Sequence, residues 1–431
     1  MSLSRRSAMI LAAATLALAG CSGGQGDKGE AAGGASSGGG KVTVEWWNIS
    51  TAEPLKSFWA KKVKEYQAAH PNVTIKNVPI ENEAFKAKLT TVTQSGKTPD
   101  IFTTWGGGVL KQQVDAGLVK DLSSEAATWL ADFTPAALSA YQFSGKTYGI
   151  PHDIGMVGFW YNKAHFAKAG ITDTPKTWTE FLDAVKKLKA AGITPIALGG
   201  KEKWPGHYYW AYLAMRIAGL DALKQAAVDD DFTKPDFVTA GAKLKELVDL
   251  QPFQKGFLGA AYGTNNGQGA IMGNGKAAME LMGQWAPITQ KDNGKGLGDD
   301  LGFFPFPSVE GGKGQPNDAF GGGGGYAVGA NAPAEAVDFL RFISNKDSLS
   351  EAVKMGAVLP VLKGGESDVK DPNLSVVAQT LASASGFQLY LDQAYPPAVG
   401  QEVNDSVAAL IAGSKTPEQV AQAITETAKS E

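Results

Sequence analysis

From Lys41 onward, stretches of alternating apolar and polar positions give way to stretches whose apolar residues fall three or four apart. Residues 42–47, Val-Thr-Val-Glu-Trp-Trp, alternate as a strand. The chain then turns through Asn48 to Pro54 into a helix with Leu55, Phe58, Trp59, Val63 and Tyr66 on one face. Residues 73–78 read as a second strand, 85–94 as a helix, and 99–104 as a third strand. This β-α-β-α-β order predicts a mainly parallel sheet with helices on both faces.

The pattern starts again after Gly149-Ile150-Pro151. Residues 156–161 read as a strand. Thr177-Trp178-Thr179-Glu180 is a capping box that opens a helix with Phe181, Leu182, Val185 and Leu188 inward and Gly192 as its stop. Residues 194–198 form another strand. A helix over 334–344 opens at Pro333, and a final one opens at Thr416-Pro417-Glu418-Gln419. Two α/β lobes are the economical reading. Open α/β sheets bind ligands beyond the carboxyl ends of their strands, so two such lobes place that edge in a shared cleft.

The first 21 residues do not belong to this pattern. Arg5 and Arg6 precede a short apolar run from Ala8 to Ala19, closed by Leu18-Ala19-Gly20-Cys21. The run is too short to span a bilayer, which takes about 20 apolar residues. L-A-G-C matches the bacterial lipobox, and the chain's one cysteine falls on the position that is acylated. Ser4-Arg5-Arg6-Ser7 also resembles a twin-arginine export signal. Residues 22–40 are nearly all Gly, Ser and Ala with isolated charges, a composition that cannot bury enough surface to order itself. Such a coil reaches roughly 25 Å. It reads as a tether from a lipid anchor to a body working at the outer membrane face.

Composition narrows the function. A chain of 431 residues suits two domains. The net charge of −3 offers no basic field for nucleic acid. One cysteine excludes an intrachain disulfide and a Cys-based zinc site, and the four histidines are scattered. No cofactor or metal is expected. With 10 Trp, 11 Tyr and 19 Phe, aromatics are the more informative class. Trp47, Trp105, Trp204 and Trp285 each follow a predicted strand or sit in a loop beside small or polar residues. Sugars lay their C–H faces on such rings and need planar polar groups at the rim. The polar candidates are Asn48, Glu53, Asp153 and Gln393. Glu53, beside Pro54 at a helix start, reads better as a turn residue, and Asp153, at a lobe crossing, better as a ligand contact. Hydrolysis of a glycosidic bond would need two facing carboxyls. No short motif marks such a pair, and neither G-x-S-x-G nor a triad-like His is present. Gly321–Gly325 lacks the continuation of a dinucleotide loop and suits a hinge or a pocket wall.

The blocks "VTVEWWN", "PDIFTTWGGG", "YGIPHDIGMVGFWYNKAHFAKAGI", "PKTWTEFLDAVKKLKAAGITPIAL", "GKAAMELMGQWAP" and "AGSKTPEQVAQAI" follow the lipobox and tether. Together they resemble the extracellular solute-binding lipoproteins of carbohydrate ABC importers, the maltose-binding-protein-like branch. The stretches "PHDIGMVGFWYNK" and "KWPGHYYW" look most like its xylobiose-binding members, and cello-, malto- and chito-oligosaccharide binders share most blocks. The resemblance implies a two-lobed periplasmic-binding-protein-like α/β fold with three lobe crossings, near Pro151, in Gly321–Gly325 and near Pro360. The N-terminal lobe would then comprise 41–150 plus 326–360 and the C-terminal lobe 151–325 plus 361–431. It carries the binding role onto Asn48, Glu53, Trp105, Asp153, Trp204 and Trp285, with Gln393 or Tyr395 from "LDQAYPP". It also implies an oligosaccharide ligand, permease subunits of an ABC importer as partners, a monomeric state and no catalysis. A secreted carbohydrate-active hydrolase, or a binder of another solute such as a peptide or polyol, is the alternative.

Overall fold

Strand Ile101–Thr104 sits at the centre of a five-stranded sheet in the computed structural model, which describes residues 40–431. Val42–Asn48 pairs with it in parallel, and Val73–Pro79 pairs in parallel with Val42–Asn48. On the other side Gly325–Val328 runs antiparallel, followed by Ile150–Pro151. Helices Leu55–Ala69 and Asn82–Gln94 connect the first three strands, as the apolar spacing predicts. Val44, Trp46, Ile101, Ile150, Tyr326 and Leu340 share one core, so chain segments far apart in sequence build this lobe.

A second core gathers Phe159, Trp178, Tyr209, Met279, Phe320 and Val420. Its axis is helix Trp204–Ala218, buried along its whole length because its sequence is apolar on every side. Arg216 on that helix donates through its two terminal nitrogens to the carbonyls of Phe306, Gln315 and Asp318, which offsets much of the cost of burying the cation. Helix Trp178–Ala190 opens on the predicted Thr177/Glu180 capping box, and Pro417–Ala428 on Thr416/Gln419.

The two-lobed α/β architecture is as expected, but neither lobe's sheet is mainly parallel: the first has two parallel and two antiparallel pairings. In the second lobe, strand Gly158–Asn162 lies between Met279–Met282 and Leu301–Phe304 and is antiparallel to both, so this three-stranded sheet is antiparallel. Residues 194–198 join it through single parallel bridges at Ile196, to Phe253 and Met279. Long excursions separate these partners, and an excursion of more than about a dozen residues can return a strand in either direction.

Two segments joining the lobes run side by side in opposite directions. Ile150–Pro151 pairs with Gly325 and Tyr326 in the first sheet, and Gly155–Met156 pairs with Gly321 and Gly322 in the second. Val361 and Leu362 still pack in the first core, and Ser350 Oγ donates to Asp368 at 2.6 Å. Helix Pro372–Ala382 packs on strands of the second lobe. Cys21, the signal segment and the tether as far as residue 39 lie outside the described residues.

Candidate functional site

Between the lobes lies a cleft of about 500 Å³. Glu53, Trp105, Asp153, Trp204, Trp285 and Gln393 all line it, although 340 residues of sequence separate the outermost two (393 − 53). Trp105 comes from the first lobe, immediately after the central strand Ile101–Thr104. Its ring stands edge-on to Phe85 at 6.1 Å, with Lys86 Nζ 5.5 Å from the ring centroid.

Trp204 and Trp285 come from the second lobe. Trp204 is the first residue of the central helix rather than a loop residue, and Lys203 before it turns with φ +67°. Its ring meets Tyr262 at 5.3 Å and 69°, and Tyr208 at 5.6 Å. Trp285 caps helix Ala286–Asn293 and stands 6.2 Å from Tyr390 at 73°. Gly283 is required beside it, since a Cβ there would lie 2.1 Å from the indole.

Asp153 is held by the protein itself. Gln284 Nε2 donates to its Oδ2 at 2.5 Å and the Leu359 N–H to its Oδ1 at 2.8 Å. The carboxylate thereby joins the first crossing, the stretch near Pro360 and the loop that carries Trp285. Gly323 lies against it so closely that a Cβ would stand 1.9 Å from the Asp153 carbonyl oxygen. Burial pushes the Asp153 carboxyl up to about 6, and pushes neighbouring His152 down to about 4. Glu53 lines the rim and also fulfils the turn reading: Ser57 Oγ and N–H donate to its carboxylate at 2.7 and 3.3 Å.

Two expected residues do not reach the cleft. Trp47 is 5% exposed, packed in the first lobe with Lys88 Nζ 3.7 Å over its ring. Helices cover both faces of a parallel sheet, so adjacent strand residues such as Trp46 and Trp47 are both buried. Asn48 is 1% exposed and spends its amide locally. It donates to Asn77 Oδ1 at 2.7 Å and accepts the Ser50 N–H at 3.0 Å, which shapes the turn through Ile49–Thr51 that does line the cleft. Of the late pair, Gln393 lines the cleft, while Tyr395 packs on Phe232 at 5.7 Å.

The sequence reading missed Gln284, Tyr208, Tyr262, Tyr390, Lys86 and Asp392. The Tyr208 position is hidden in a continuous apolar helix. Gln284 adjoins Trp285 in "GQWA", which was the available signal. Several buried polar atoms of lining residues have no protein partner, among them Trp204 Nε1, Gln284 Oε1 and Tyr262 Oη. Beneath the cleft, Glu280 accepts from Gln268 Nε2 at 2.9 Å and Gln290 Nε2 at 2.7 Å, tying the Trp285 helix to its sheet. With only neutral partners its burial raises it to about 7. Among the described residues no group of three His, Cys, Asp or Glu is placed to hold a metal. Aromatic faces from both lobes, unpartnered polar atoms and a carboxylate at the hinge suit an uncharged, hydroxyl-rich ligand.

Known proteins resemble this chain in sequence and in fold. The family described as bacterial extracellular solute-binding protein matches residues 49–348. The multiple sugar-binding protein of Streptococcus mutans is 26% identical over 348 residues, 77% of this chain and 78% of its own. A diacetylchitobiose binding protein of Streptomyces coelicolor is 25% identical, covering 88% of this chain and 86% of its own. A structure from work on xylan utilization by Caldanaerobius polysaccharolyticus superposes with a TM-score of 0.82 at 30% identity, over 89% of this chain and 99% of that one.

Proposed function

Because the chain belongs to the bacterial extracellular solute-binding protein family, we propose that its cleft captures a short oligosaccharide and delivers it to the permease of an ABC importer. Xylobiose or a xylo-oligosaccharide is the ligand we propose first, with cello-, malto- and chito-oligosaccharides as competitors. The observation that carries this reading is the meeting of Trp105 from one lobe with Trp204 and Trp285 from the other across one cleft. A sugar stacked on the second-lobe indoles gains further contacts only when the first lobe swings in. The closed form is then favoured by that difference in contacts.

The chain's residues divide the work. The indoles hold ring faces, polar lining groups such as Glu53 and Gln393 meet hydroxyls, and Asp153 fixes the loop of Trp285 relative to the lobe crossings. We assign the protein no catalytic step and no cofactor, and take it to act as a monomer held at the outer membrane face by acylated Cys21. Support comes from the relatives named as binding proteins and from the lipobox.

Isothermal titration with xylobiose, cellobiose, maltose and chitobiose tests the reading. Saturable heat with at least one is expected, and no heat with any sinks it. Products accumulating during long incubation at high protein concentration would overturn the assignment as a binder.

A further inference from the structure

Resting on that assignment of the cleft to a glycan, we infer that it discriminates by ligand charge, admitting neutral and protonated amino sugars and rejecting those that carry a carboxylate. Five carboxylates line the cleft: Glu53, Glu81, Asp153, Asp292 and Asp392. The single cation in the lining is Lys86, and it is already committed. Its Nζ stands 3.6 Å from Asp392 and 3.6 Å from Glu83, against the Trp105 ring. Lys291 lies on the same helix as Asp292 but outside the lining. Lys88 is spent on the Trp47 ring, and Lys203 pairs with Asp405 at 2.5 Å.

The other lining carboxylates are not neutralised by cations. Asp153 takes its bonds from the Gln284 amide and a backbone N–H, and Glu53 from Ser57. Both leave the negative charge in place. Hydrogen-bond polarity points the same way. An ionised carboxylate is an acceptor only and finds acceptors facing it, whereas hydroxyls and ammonium groups donate. Bringing a negative group among several like charges in a partly water-excluded cleft raises its free energy with each one.

The test uses whichever of xylobiose, cellobiose, maltose and chitobiose binds, its counterpart carrying a uronic carboxylate, and the primary amide of that uronate. The amide has the acid's shape without its charge. At low salt the uronate should bind at least about tenfold more weakly than its amide, and the gap should narrow in 0.5 M salt as screening shortens the field. A uronate binding as well as its amide overturns the inference. So does failure of both, which would place the discrimination in shape. An absence of binding by xylobiose, cellobiose, maltose and chitobiose alike defeats the glycan assignment itself, a distinct outcome.

Discussion

At the scale of single residues, Trp204 and Trp285 are the side chains on which capture turns. Replacing either by Ala should weaken sugar binding at least about tenfold, because truncating a central buried aromatic anchor costs about 2 kcal/mol or more; titration calorimetry measures it. Glu280 gives a pH signature. Its carboxyl, about 7 when folded, returns to about 4.5 when unfolded. Between those values the folded state keeps a proton that the unfolded state has released. The stability it contributes is complete below pH 4.5 and lost as pH rises through 7, a change on the order of 3 kcal/mol at most. Asp153 and Glu202, raised by burial to about 6 and about 7, act in the same direction. The melting temperature should therefore fall from pH 5 to pH 8, and Glu280→Gln should flatten that slope. An equal slope in the variant would assign the dependence elsewhere. Glu280 itself was illegible in "GKAAMELMGQWA", since nothing local tells that Gln268 and Gln290 will converge on it.

Among elements, the turn before helix Ala286–Asn293 matters most for the site. Gly283→Ala drives a methyl into the Trp285 ring, so the indole must leave its position. Affinity should drop more than stability, read by calorimetry beside a urea midpoint; a loss confined to stability would mean that the ring tolerates the shift. Elements of this kind were readable to different degrees. The capping boxes at Thr177 and Thr416 appear where the sequence predicts them, because such caps depend on four adjacent residues. Strand direction in the second sheet was not readable, because Phe159 meets Leu281 and Phe304 through contacts that no local period encodes. Trp47 misled for a related reason. A polar neighbour, Asn48, suggested a loop, while the tryptophan's surroundings come from helices on both faces of the sheet.

For the whole molecule, closure is the event that a ligand must drive. Small-angle scattering should show a smaller radius of gyration once the binding sugar is saturating; an unchanged radius would contradict capture by lobe closure. Cys21→Ser should release the protein from the membrane fraction into the medium, as loss of the lipobox thiol removes the acyl anchor; retention would contradict the anchor. How the lobes meet was the least legible part from local pattern. Spacing along the chain supplied the strands, whereas the convergence of Trp105, Trp204 and Trp285 came from resemblance.

The interleaving of the cores also sets an order of assembly. Helix Pro417–Ala428 supplies Val420 and Ile424 to the second core, Thr425 Oγ1 accepts the Phe232 N–H, and helix Pro235–Asp249 packs against it. All those partners are synthesised earlier than the helix that covers them. Helix Pro235–Asp249 packs both on the earlier helix Trp204–Ala218 and on Pro417–Ala428, so part of its surface stays uncovered until residues 417–428 emerge, and the second core is completed only after translation has passed them.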